Sequence, residues 1–191
     1  MTLKHLVLAA VLMAALTGTH AMAVEEPAFK TVIQEGAFEI RDYPPLVVAE
    51  VTVSGDQKEA ATKGFRLLAG YIFGGNKSRQ SIAMTAPVTQ IQNANAWVVR
   101  FTMPKGYSLD TLPQPNDPQV KLRALPASRF AVLQFSGLAG TDDVSAKTAE
   151  LQNRITKYKL RPTGPASLAQ YNPPWTLWFM RRNEVMIEVA R

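Results

Sequence analysis

The chain has 191 residues, 47% of them hydrophobic and 19% charged, an ordinary composition for one domain with a sizeable core. It contains no cysteine, which excludes disulfides and thiol chemistry, and its formal net charge is +6. That balance mildly favours anionic partners, but no basic run is longer than Arg181-Arg182, so nucleic acid is not the expected partner.

The first 23 residues read as a secretory signal peptide. Lys4 precedes an uninterrupted apolar run from Leu6 to Leu16, and Ala21-Met22-Ala23 is a small-x-small cleavage site. The run is too short to span about 30 Å of hydrocarbon at about 1.5 Å per residue, so no stable membrane anchor is expected after cleavage. The pattern points to export, to the periplasm of a bacterial cell. Both histidines, His5 and His20, lie inside this segment. Residues 24–191 therefore hold neither His nor Cys, which removes zinc sites and Cys–His or Ser–His machinery. Losing Lys4 lowers the net charge from +6 to +5.

From Phe38 to Gly55 the sequence FEIRDYPPLVVAEVTVSG predicts strand, proline turn, strand and a Ser-Gly break. Asp56 to Phe73 then has helical spacing, with Ala61, Phe65, Leu68 and Ile72 on one face. Gly74-Gly75-Asn76 stops that helix, because Gly and Asn tolerate the left-handed geometry of a helix end. Ser81 to Ile91 and Ala96 to Met103 read as strands, and Pro104 to Pro118 as a surface loop.

The pattern then recurs. Val120 to Gly137 reads VKLRALPASRFAVLQFSG, and Arg123, Pro126, Ala131 and Ser136-Gly137 match Arg41, Pro44, Ala49 and Ser54-Gly55 without a gap. Asp142 or Asp143 is a candidate cap for a second helix whose stripe is Val144, Thr148, Leu151, Ile155 and Tyr158. Arg161 to Pro165 ends it, and Trp175 to Arg181 and Val185 to Val189 read as strands, with Arg181 to Glu184 at their turn. The fold class is therefore α+β: duplicated strand-strand-helix-strand-strand halves, about 32–103 and 119–190, forming one domain over 24–191. Its architecture is a sheet curved into an open, distorted, mostly antiparallel eight-stranded β-barrel flanked by two α-helices, and the chain is expected to be a monomer.

FEIRDYPPLVVAEV, GFRLLAGYIFGGN, SIAMTAPV and YNPPWTLWFMRRNEVMIEV, in that order, resemble the SOUL haem-binding protein family. The resemblance implies a distorted barrel of duplicated halves and a tetrapyrrole partner, with haem as the cofactor. In haem-binding relatives, basic residues on the first helix and just after the YDPP-type turn are associated with the propionates. Those places hold Thr62, Gly70 and Thr176 here, with Lys63, Arg66, Lys77 and Arg79 nearby. The histidine proposed as axial ligand in one branch is missing. Relatives of the same topology have been linked to small-molecule hydrolysis and to tetrapyrrole metal removal, which keeps an enzyme reading open beside that of an envelope structural protein.

Candidate iron ligands reduce to Met84, Met103, Met180, Met186, Tyr43, Tyr71, Tyr107, Tyr158 and Tyr171. Each has a packing role as its simpler explanation. Binding by burial of the flat macrocycle, without a strong axial bond, is the expected mode. Removing several hundred Å² of apolar surface from water gives roughly 5–10 kcal/mol before association entropy. The expected wall is Phe65, Ala69 and Phe73, with Thr62 and Arg66 on the same flank and Arg66 reaching a propionate. Met84 lines the inner side, Trp175 of the Tyr171–Trp175 turn covers the ligand, and Met180 on the strand that follows is a further candidate contact.

Overall fold

The structure is a computed structural model describing residues 24–191; the expected leader, 1–23, lies outside the described residues. Nine strands and two helices follow one another: β1 (Lys30–Glu35), β2 (Phe38–Tyr43), β3 (Leu46–Ser54), α1 (Gln57–Ile72), β4 (Val88–Asn93), β5 (Ala96–Thr102), β6 (Lys121–Leu125), β7 (Ser128–Phe135), α2 (Thr141–Lys157), β8 (Pro162–Gln170) and β9 (Asn183–Val189). All neighbours are antiparallel, in the order β1-β2-β7-β9-β8-β4-β5-β3-β6. The α+β class holds. The barrel is open, as expected, since β1 and β6 are edge strands with no ladder between them; β1 makes nine strands instead of eight. From β2 to β6 the order is unchanged when β2, β3, β4 and β5 exchange with β6, β7, β8 and β9.

Alternation along the strands divides the core between two faces. Ala49, Val51 and Val53 of β3 and Val99 and Phe101 of β5 pack under α1, while Phe38, Ile40, Ala131, Leu133, Val185 and Ile187 pack under α2. The opposite, concave face carries Tyr43, Val132, Ala169 and Met186. Among the described residues no helix is long and apolar enough to cross a membrane.

Helix α1 starts where Asp56 accepts a hydrogen bond from the Glu59 N–H at 2.8 Å. It stops at Gly74, whose φ of 102° is open mainly to glycine. Behind it, fully buried Asn76 donates to the Tyr71 and Gln80 carbonyls and accepts from the Gln80 N–H, so the Gly-Gly-Asn stop is built into the core. The buried line of α1 is Ala60, Gly64, Leu68, Tyr71 and Ile72. The expected stripe is thus rotated, since Ala61 is half-buried and Phe65 is 40% exposed. The cause is Gly64: a Cβ there would come within 2.5 Å of a Val99 methyl, so the helix sits on the sheet through its smallest residue. A hydrophobicity pattern counts phenylalanine and overlooks glycine.

Helix α2 buries Leu151 and Ile155 and packs Val144 and Tyr158 beside them, as its stripe indicates. Its N-cap is Gly140, which offers no side-chain hydrogen bond, and Asp142 and Asp143 instead lie in the first turn, where they favour the helix dipole.

Three segments depart from expectation. Ser81 to Pro87 is irregular chain with an isolated bridge between Phe73 and Ser81, and the strand begins at Val88. Pro104 to Pro118 is not purely surface, because Leu112 enters the first core and the Tyr71 hydroxyl donates to the Pro113 carbonyl. Trp175 to Arg181 is a loop with a short 3-10 turn at Trp178–Met180, and the strand pairing with β4 and β9 is β8. Prolines 162 and 165 hide β8 in the sequence, yet they sit where its register with β9 is interrupted, between Pro162 and Ala166, and ladder N–H groups are dispensable.

Candidate functional site

The helix positions singled out in the sequence share the outer flank of α1. Thr62 is exposed and donates to the Lys58 carbonyl. Phe65 meets the buried Phe101 edge-on, with ring centroids 5.4 Å apart, and leaves its outer edge to solvent. Ala69 is half-buried and Phe73 is 63% exposed. Arg66 is exposed and has no ion-pair partner among the described residues. Met84 is half-buried against the core that α1 covers.

Trp175 and Met180 belong to the loop between β8 and β9. Trp175, Leu177, Trp178, Phe179 and Met180 are all more than half exposed, with Trp175 at 82%. Arg181 holds this loop in shape by donating to the Thr176 and Pro174 carbonyls, and the Trp178 carbonyl accepts from the Gly137 N–H. The loop is therefore anchored to the second half of the chain and the wall to the first. Large apolar side chains left exposed in such number mark a candidate binding surface.

The iron-ligand candidates separate cleanly. All five tyrosine hydroxyls are engaged: Tyr43 with Arg41, Tyr71 with Pro113, Tyr107 with Gln80, Tyr158 with Glu35 and Tyr171 with Glu184. Burial pushes the Tyr71 hydroxyl up to about 12 and raises those of Tyr43 and Tyr171, with the Glu184 charge adding to the effect at Tyr171. The phenolate that iron prefers is disfavoured at these three. Met103 is buried in the first core, Met180 is exposed on the loop, and Met186 reaches the concave face.

The concave face carries a feature that the sequence reading missed. Residues of both halves line a half-open cavity of about 600 Å³, within the range of small-molecule pockets. Its floor is Leu46, Val48, Ile91, Val98, Phe130 and Met186. The signal was present in LVVA at the start of β3, which is apolar at positions of both parities. One set serves α1 and the other faces the cavity.

At one end of the concave face lies a buried ion network. Arg41, 2% exposed, donates to both carboxylate oxygens of fully buried Glu184 at 2.9 and 3.1 Å and to Glu39 at 2.8 Å. Arg182 and the Tyr171 hydroxyl also donate to Glu184, at 2.9 and 2.7 Å, and the Arg41 guanidinium lies 4.3 Å from the centre of the Phe29 ring. Burial alone would raise the Glu184 carboxyl, but bonding to Arg41 first, then its charge and Tyr171, holds it below the usual range. Glu184 is a committed ion, not a protonated acid poised for catalysis. Asn183 and Glu184 are also not turn residues, as the sequence reading had them; they open β9, because their side chains have buried partners in Gly137 and Arg41.

An open antiparallel sheet with two helices on its convex face and a cavity on its concave face defines the class of fold. It is shared with the C-terminal domain of EcmrR (TM-score 0.61, 11% identity, 81% of this chain and 97% of that one). A hydrolase from Listeria innocua shares it too (TM-score 0.58, 13% identity, 83% of this chain and 94% of that one). At such identities the likeness is one of fold alone. Residues 24–188 match the SOUL heme-binding protein family, and the chain belongs to that family. Heme-binding protein 2 of Mus musculus is 26% identical, over 90% of this chain and 93% of its own.

Proposed function

We propose that the protein binds haem or a related tetrapyrrole without a covalent link, as a carrier or buffer, between the α1 flank and the β8–β9 loop. The observation that carries this reading is the set of apolar side chains exposed on the two elements: Phe73 on the helix and Trp175, Leu177, Trp178, Phe179 and Met180 on the loop. The family and the mouse relative's name supply the ligand class. Unpaired Arg66 beside Phe65, Ala69 and Phe73 suits a propionate, and Thr62 adds a hydroxyl on the same flank. Met84 backs the wall from inside. Since the tyrosine hydroxyls are engaged and residues 24–191 lack His and Cys, macrocycle burial supplies most of the affinity, with Met180 at most a weak axial ligand.

The proposal includes export. Protein recovered from its host should begin at Val24 on N-terminal sequencing; an intact Met1 to Ala23 would refute cleavage. The binding mode is tested by comparing hemin with iron-free protoporphyrin IX. Dissociation constants within about tenfold support burial without a strong iron bond, since about 1.4 kcal/mol separates each tenfold step. A hundredfold preference for hemin would mean that a side chain grips the metal.

A further inference from the structure

We propose that the concave cavity is a second binding site, for an amphipathic organic anion: an apolar body of drug or metabolite size with a carboxylate held by Arg100. The inference is independent of the haem reading, which concerns the other face of the sheet.

Three observations carry it. First, the floor side chains, from Leu46 and Val48 of β3 to Phe130 and Met186 in the other half, point away from both helices into a space of about 600 Å³. Water there would face an apolar lining on several sides, and an apolar occupant would displace it favourably. Second, the charge on the wall is unbalanced. Arg100 donates through Nε and Nη2 to a single oxygen of buried Glu50, at 3.0 and 2.6 Å, and Arg123 takes the other oxygen. One carboxylate thus serves two guanidinium groups. Arg100 lines the cavity, and its Nη1 donates to nothing among the described residues, which leaves one edge of a planar fork for a carboxylate.

Third, the other charged residue of the lining, Glu188, has no partner among the described residues and stands at the far corner. Arg100 is in register with Thr89, Thr89 with Ala169 and Ala169 with Glu184, so Glu188 lies three strands across and four residues along. That is about 19 Å measured over the sheet. A carboxylate is attracted to one corner and repelled from the other, so the geometry fixes the direction of the ligand.

The test uses 1-pyrenebutyric acid and its amine counterpart, 1-pyrenebutylamine, read by fluorescence anisotropy and by amide shifts in the ¹⁵N-labelled protein. The acid should bind saturably and at least tenfold more tightly than the amine. Wild-type shifts should cluster on β3, β4, β5 and β9 rather than on the exposed flank of α1. Arg100→Gln should weaken the acid about tenfold or more, and Val98→Trp, which fills the floor, should abolish binding. Equal affinity for acid and amine, shifts confined to α1 and the β8–β9 loop, or a folded Val98→Trp protein that still binds would each overturn the proposal. Displacement of the acid by hemin would also overturn it, by placing the pigment in this cavity. Loss of hemin binding with the acid still bound would sink only the haem reading.

Discussion

Replacing Glu184 by glutamine keeps the shape of the side chain and removes its charge. The carboxylate now accepts four N–H bonds, at 2.9 and 3.1 Å from Arg41 and at 3.0 and 2.9 Å from Arg182, and a fifth bond of 2.7 Å from the Tyr171 hydroxyl. An amide offers one acceptor oxygen and turns N–H donors toward donors. Arg41, 2% exposed, would be left with Glu39 as its sole carboxylate. Breaking a buried pair on one side costs about 3–5 kcal/mol, because the remaining charge stays desolvated. For a domain of this size that is a fall of roughly 6–20 °C in melting temperature. Urea denaturation of the wild type and Glu184→Gln measures the loss directly. The double replacement Arg41→Met with Glu184→Leu removes both charges and should be less destabilising than the single change. A Glu184→Gln protein within about 1 kcal/mol of wild type would contradict this, since the network would then contribute no more than an exposed pair.

Two glycines of one helix should respond with opposite signs. Gly64→Ala should destabilise by about 1–2 kcal/mol, because a Cβ 2.5 Å from Val99 overpacks by more than the helix propensity returns, whereas Gly70→Ala, with open space at its Cβ, should gain up to about 1 kcal/mol. The pH dependence follows from Glu184, held low chiefly by Arg41 against the effect of burial, and from Asp42, held low by Arg129. Folded values below the unfolded ones mean that this stability is fully present above about pH 4.5 and is lost as pH falls through the folded values. Denaturation midpoints should be flat between pH 6 and 8 and drop steadily below about 4.5; a rise on acidification would contradict the assignment. Leu68→Ala should cost about 2–5 kcal/mol and Phe65→Ala clearly less, since Leu68 is fully buried and Phe65 only edges Phe101.

Local signals made most of the architecture legible. The proline turns, the Ser-Gly breaks and the Asp56 and Gly74 helix ends each act over a few residues, and they placed β2, β3, β5, β7, β9 and both helices. What failed to show depended on distant partners. The burial of Phe65 was misjudged because the face of α1 is set by Gly64 against Val99. Strand β8 was hidden by prolines that only its bulged register accommodates. Arg41 and Glu184, 143 residues apart, looked like ordinary strand and turn residues until the sheet brought β2 and β9 to either side of β7. The cavity was implicit in the two apolar faces of β3, but which face met a helix could not be read without the topology.

In the proposed binding mode, an exposed apolar wall and loop hold a flat pigment by exclusion of water, with Arg66 at its rim. Hemin titration followed at the Soret band and by quenching of Trp175 and Trp178, with Arg66→Glu and Phe73→Asp beside the wild type, tests it most directly. Saturable binding in the micromolar range, weakened about tenfold or more by either substitution, is the result predicted. Absence of any Soret shift in excess hemin, or unchanged affinity in both variants, would contradict it.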